Sequence, residues 1–126
     1  TLFATIDRCH GEAVEKMAGF AINRALEAIW EAASAANEYF ADQAPWALRK
    51  TDAARADTVL FTAAEAVRRL AIMARWAIPR SSDALLDQLA VGAGDRDFAA
   101  LDRPVRSGTQ LPAPSGVFPR LQLVEV

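Results

Sequence analysis

The chain of 126 residues holds one cysteine, Cys9, and one histidine, His10. A lone thiol excludes an intramolecular disulfide. The two residues are adjacent, so on a helix they point about 100° apart and cannot share one metal ion, and no second His or Cys completes a site. The same scarcity removes the familiar nucleophilic arrangements. Ser34, Ser81, Ser82, Ser107 and Ser115 have no histidine at a recognisable spacing, and the G-x-S-x-G pattern is missing. His10 reads as a partly buried helix residue. Excess positive charge is also lacking: the formal net charge is −2. A general nucleic-acid coat is strongly basic, so any nucleic-acid contact here must be local and specific in shape. Charges interrupt every apolar stretch before the ~20 residues that a membrane span requires. Phosphate-cradling loops are missing too. Val91-Gly92-Ala93-Gly94-Asp95 has neither a following lysine nor a third glycine, and reads as a helix stop. The N-terminus shows no signal-peptide pattern and no initiator methionine, so the chain reads as a piece of something longer.

Glycine and proline are scarce before residue 79, while alanine is frequent, and both favour helix over sheet. Hydrophobic residues make up 52% and charged residues 24%, an ordinary globular balance that suits one domain. Phe3, Ile6, His10, Ala13 and Met17 recur at helical steps and predict a helix over 2–17, with a break near Gly19. Ile22, Leu26, Ile29, Ala33, Ala36 and Phe40 predict a second over 20–43. Asp52 is the expected N-cap of a third, with Leu60, Ala63, Val67, Leu70, Ala74 and Ala77 on its apolar face and an end at Ile78, before Pro79. Glu65 and Arg69 stand one turn apart in the order that favours an ion pair. Ser81 or Ser82 is the expected cap of a fourth helix carrying Leu85, Leu86 and Leu89, with Gly92 just past its end.

Asp97–Leu101 suits a short helical turn. From Pro104 to Pro119, breakers recur and predict an irregular tail whose Phe118 and Leu121 dock on something. A short strand over Leu121–Val126 is a further expectation. The expected architecture is all-α: an antiparallel helix bundle over 1–103 with an extended tail over 104–126 packed on it.

One segment carries more information than the rest: Asn37-Glu38-Tyr39-Phe40-Ala41-Asp42-Gln43-Ala44-Pro45-Trp46-Ala47-Leu48-Arg49-Lys50. Pro45 stops the second helix, because its ring clashes with the preceding turn, and it suits the first position of a new one. Trp46 therefore sits at a forced corner with Arg49 and Lys50 one turn on. Two readings compete. The indole is a wedge filling the angle between two helices, or it is a platform for an unstacked base. In the second reading Arg49 and Lys50 are the candidate phosphate contacts, which position a nucleic acid without specifying it. The other cations, Arg24, Arg55, Arg68, Arg69, Arg75 and Arg80, are scattered and suit solvated faces. So do the carboxylates Asp7, Glu12, Glu15, Glu27 and Glu31.

The string Ala36-Asn37-Glu38-Tyr39, then Gln43-Ala44-Pro45-Trp46 and Lys50, resembles the anticodon-binding domain of methionyl-tRNA synthetases, a class I helical bundle. Leu70-Ala71, Pro79, Leu85-Leu86-Asp87-Gln88-Leu89, Gly108, Leu111-Pro112 and Val117-Phe118-Pro119-Arg120-Leu121 continue the likeness over about residues 2–121. The resemblance implies that Trp46 stacks on the first anticodon base, the cytosine of CAU, with Pro45 shaping the corner. It implies that an Asn and an Arg reading the edge of that base lie on a family helix missing before this chain's first. Many members carry an acid where Ala41 stands, which leaves Asp42 as the candidate for anticodon discrimination.

Methionine activation uses ATP and Mg²⁺ on a separate catalytic domain with His-Ile-Gly-His-like and Lys-Met-Ser-Lys-Ser motifs. Lys16-Met17-Ala18-Gly19 matches the second only superficially. The expectation is therefore a cytoplasmic methionine–tRNA ligase fragment with no catalytic residue, metal or cofactor of its own. Its expected partners are methionine tRNA and the catalytic domain of the same polypeptide, with no membrane and no DNA. The alternative is a helical protein-interaction module without an RNA role. Exposure of the Trp46 ring separates the two.

Overall fold

A computed structural model describes residues 1–124 of the chain. Five α-helices follow one another: α1 (Leu2–Ala18), α2 (Ile22–Gln43), α3 (Pro45–Thr51), α4 (Ala53–Ala74) and α5 (Pro79–Gln88). Two 3₁₀ turns, Ala93–Asp95 and Phe98–Asp102, come next. No strand occurs among the described residues. The expected strand over 121–126 is not formed at 121–124, and 125–126 lie outside the described residues.

α1 and α2 form a hairpin whose seam is mostly alanine. Ile6, Cys9 and Ala13 face Ala25, Ala28, Ile29 and Ala32, with Ala66 and Met73 of α4 closing the core. Small side chains let the axes approach, so the predicted α1 face, with Ile6 and Ala13 buried, is the one that packs. The α2 expectation needs correcting. Ile29 is buried as expected, but Ile22 and Leu26 are exposed, and the rest of the buried stripe is Ala25, Ala28 and Ala32. Buried alanines carry little hydrophobic signal, so the larger residues beside them dominated the pattern.

The predicted face of α4 is corrected as well. Leu60 and Val67 are exposed, whereas Ala56, Val59, Ala66, Ile72 and Met73 are buried. The predicted stripe instead forms one wall of an open groove of about 430 Å³ between α2 and α4, lined by Ile29, Trp30, Phe40, Val67, Leu70 and Phe118 among others. A second core, Ala71, Ile72, Leu86 and Ala100, joins α4 and α5 to the 3₁₀ turn at 98–102.

Helix ends follow local chemistry. Asp52 caps α4 as expected, its side chain accepting from the Arg55 amide at 3.0 Å. Asp97 caps the 3₁₀ turn by accepting from the Ala100 amide at 3.0 Å. α4 ends at Ala74 rather than Ile78. The residue before a proline is disfavoured in helical conformation, and bonding relaxes to tighter turns, such as Ala77 N–H to the Ala74 carbonyl at 2.9 Å. α5 is not capped by a serine. Pro79 takes its first position, Ile78 precedes it with no side-chain cap, and Ser82 is buried.

Three helices end on left-handed residues that are not glycine: Phe20 (φ 60°), Ala44 (φ 43°) and Ala90 (φ 56°). Gly19 and Gly92 stand beside these turns without taking the left-handed angle (φ −89° and −63°).

Arg68 departs furthest from the sequence expectation. Read as a solvated cation, it is only 2% exposed. Its guanidinium donates to both oxygens of buried Glu65, at 2.9 and 2.6 Å, and to the carbonyls of Ala100 (2.8 Å) and Leu101 (2.9 Å). Glu65 also accepts from the Val105 amide at 3.0 Å and from Arg69 Nε at 3.0 Å, the latter being the expected ion pair. Arg69 reaches on to Asp7 of α1 at 2.8 Å. Later in the tail, Gln88 exchanges two hydrogen bonds with the Ser115 backbone, at 2.8 and 3.2 Å.

Candidate anticodon-contact site

The corner at the end of α2 is built by three consecutive residues. The Ala44 amide donates to the Phe40 carbonyl at 3.1 Å, which closes α2. Ala44 then turns into the left-handed region, and its carbonyl accepts from Ala47 (2.9 Å) and Leu48 (3.1 Å), which opens α3. Pro45 is buried at the first position of α3, where its missing N–H costs nothing. The next residue, Trp46, is carried outward and is 59% exposed.

Two further contacts brace the corner. The Phe40 ring lies 5.7 Å from the Trp46 ring at an interplanar angle of 63°, an edge-on aromatic pair. Arg55 of α4 donates to the Gln43 side chain at 2.8 Å, tying the start of α4 to the end of α2. α4 is further held because the Asp52 amide donates to the Leu48 carbonyl at 2.7 Å.

Arg49 and Lys50 occupy the last turn of α3, are exposed, and form no ion pair among the described residues. Cations at a helix C-terminus are favoured by its dipole, so their position also suits the short helix itself. Asp42 is exposed in the last turn of α2. The structure thus brings Asp42, Pro45, Trp46, Arg49 and Lys50 to one end of the bundle. Sequence reasoning missed the roles of Phe40, Gln43 and Arg55 there. Phe40 fell on the apolar stripe and read as core. The Gln43–Arg55 bond spans two helices, and no local spacing announces it.

The other chemistry-bearing groups stand apart from this corner. Cys9 is fully buried, and burial pushes its thiol upward, away from the reactive thiolate. His10 packs edge-on against Phe98, with centroids 4.7 Å apart at 79°. Burial lowers its pKa, ahead of an opposing pull from Asp7. Among the described residues no group of three or more His, Cys, Asp or Glu is placed to hold a metal ion.

The described residues thus form an all-α bundle with a proline corner at the end of α2. The family model for the anticodon binding domain of methionyl tRNA ligase matches residues 1–124, and the chain belongs to that family. It is 54% identical over 106 residues to the methionine–tRNA ligase of Mesorhizobium japonicum, covering 82% of this chain and 20% of that protein. It is 45% identical over 112 residues to the ligase of Mycobacterium leprae, covering 86% and 21%.

Among solved structures it superposes on the free-state methionyl-tRNA synthetase of Mycobacterium tuberculosis with a TM-score of 0.91 at 39% identity, over 96% of this chain and 25% of that one. The same enzyme bound by methionyl-adenylate gives a TM-score of 0.89 at 38% identity, over 94% and 24%. The chain therefore spans about one fifth of the length of the relatives it matches.

Proposed function

We propose that this chain reads the CAU anticodon of methionine tRNA as the C-terminal part of a methionine–tRNA ligase. The observation that carries the reading is the exposure of Trp46: the residue is 59% exposed, at the end of the bundle that also holds Arg49 and Lys50. A wedge between helices would be covered. In this reading the first anticodon base stacks on the indole, an interaction of about 1–3 kcal/mol. Pro45 sets the backbone angle that presents the ring. Arg49 and Lys50 take the neighbouring phosphates, and Asp42 disfavours wrong anticodons by repulsion.

Stacking alone is tolerant of base identity. Hydrogen bonds to the cytosine edge belong to the family helix that precedes this chain's first. We take residues 1–103 as the binding bundle; in the tail that follows, Ser115 is held by Gln88 and Phe118 lines the α2–α4 groove, while Leu121, expected to dock, is fully exposed. The catalytic domain of the same polypeptide uses ATP and Mg²⁺; the adenylate-bound Mycobacterium tuberculosis relative supports an adenylate chemistry there. No described helix is long and apolar enough to cross a membrane, and the proposed location is the cytoplasm.

The exposed ring disfavours the alternative of a protein-interaction module without RNA. Titrating the full-length protein with anticodon stem-loops tests the reading. A CAU loop is expected to bind at least tenfold more tightly than one with its first base changed, and equal affinity would sink the proposal. Trp46→Ala is expected to cut methionylation of tRNA by about one to two orders of magnitude, as loss of ~1–3 kcal/mol implies. ATP–pyrophosphate exchange with methionine should stay intact.

A further inference from the structure

We propose that Phe40 is a positioning residue for the Trp46 platform; this rests on the anticodon reading of Trp46 given above. The left-handed turn at Ala44 and the fixed φ of Pro45 determine where the Trp46 Cβ stands. They leave the two side-chain torsions of the indole undetermined. The ring that limits them is Phe40, on the last turns of α2 and six residues upstream. The two centroids lie 5.7 Å apart, with the planes inclined at 63°.

Phe40 is also the better anchored of the pair. It is 37% exposed against 59% for Trp46, and it forms part of the wall of the α2–α4 groove. A ring anchored on a long helix therefore braces a ring carried on a seven-residue helix.

The inclination matters for chemistry. A parallel neighbour would lie flat on the indole and compete with a base for the same face. An inclined neighbour restrains the ring without lying flat on it, and it can cover at most one of the two indole faces. An aromatic side chain held in its binding rotamer beforehand spares the ordering cost that association otherwise carries. For an aromatic pair of this geometry the benefit corresponds to about two- to tenfold in affinity.

The role is thus indirect. Phe40 touches the reader, and its effect on the nucleic acid runs wholly through Trp46. Nearby, Gln43 and Arg55 hold the backbone of the corner, which leaves ring orientation as the separate contribution of Phe40.

The test is a double-mutant cycle on the full-length protein, titrated with a CAU anticodon stem-loop. Phe40→Leu keeps apolar volume in the groove while removing the ring. Phe40→Tyr keeps the ring and serves as the rescue. Phe40→Leu is expected to weaken binding about two- to tenfold. Phe40→Tyr is expected to stay within about twofold of the parent, and Phe40→Leu to add no further loss in a Trp46→Ala background. Incorporated 5-fluorotryptophan supplies a second readout: the fluorine resonance that Trp46→Ala removes is expected to shift or broaden in Phe40→Leu before any RNA is added.

Several results would overturn the proposal. If Phe40→Leu binds like the parent while Trp46→Ala binds weakly, Phe40 is not a positioning residue and the anticodon reading survives. If Phe40→Leu costs the same with and without Trp46, it acts through the fold. If neither substitution changes binding, the anticodon reading of Trp46 fails together with the positioning role.

Discussion

At residue scale, Ser82 shows how a side chain can be misread. A serine shortly after a proline invites the role of helix cap, yet the Ser82 hydroxyl is buried between α4 and α5 with no hydrogen-bond partner among the described residues. An unpaired buried hydroxyl costs more than the packing of its one oxygen returns. Ser82→Ala is therefore expected to raise stability by about 0.5–1 kcal/mol, read as a higher urea midpoint at unchanged slope. Asp52 shows the opposite case. Its cap was legible because everything it needs lies within three residues. The Pro45–Trp46 corner was legible for the same reason, as a proline acts on its own turn. What could not be read was the ring facing Trp46. Phe40 lies on the other helix of the corner, and its stripe position disguised it.

At the scale of elements, four of the five helices and their approximate limits followed from periodicity and prolines, but the extent of the seven-residue α3 and the choice of buried face did not. On α2 and α4 the packed seam consists largely of Ala25, Ala28, Ala32, Ala56 and Ala66, while Leu26, Leu60 and Val67 are exposed. The pattern of large apolar residues pointed to the groove wall because alanine seams bury by proximity rather than by bulk. The helix ends add a second lesson. Phe20, Ala44 and Ala90 take left-handed angles that glycine adopts without steric cost. At the end of α5, Val91 N–H bonds to the Leu86 carbonyl at 3.0 Å, which fixes Ala90 in that turn. Ala90→Gly relieves the clash and is expected to raise stability by up to about 1 kcal/mol, seen as a higher thermal midpoint. The same change at Ala44 is expected to loosen the corner and to weaken stem-loop binding even where stability is unchanged.

At the scale of the whole molecule, buried Glu65 and Arg68, with half-buried Arg69, link α1, α4 and the segment after α5. Their partners run from Asp7 to Val105, so local spacing could reveal only the Glu65–Arg69 pair. Arg68 looked like an ordinary surface cation. Burial opposes ionisation of Glu65, but hydrogen bonds from Arg68, the Val105 amide and Arg69 outweigh it and hold the carboxyl below its ordinary value. A depressed carboxyl contributes stability that is complete above the ordinary glutamate value of 4.5 and is lost as pH falls through the lower, folded value. Urea midpoints measured downward from pH 4.5 are therefore expected to fall, with a shallower fall in Glu65→Gln. Removing the carboxylate altogether, as Glu65→Ala, leaves the buried Arg68 guanidinium without its counter-charge and is expected to cost about 3–5 kcal/mol at neutral pH.

The carbonyls that Arg68 holds also decide where the chain tolerates a protease. Composition changes at Pro104, and a boundary drawn from composition would fall there. The acceptors of the buried guanidinium are at Ala100 and Leu101, and Val105 supplies the amide that completes Glu65. A nick beyond Arg106 removes a largely exposed strap and leaves that pairing whole. A nick before Ala100 severs the chain between a buried cation and the carbonyls that balance it. Limited digestion should accordingly trim this protein to a resistant core ending just past residue 105. The cuts that destroy it should be those falling a few residues earlier, within the same short stretch of chain.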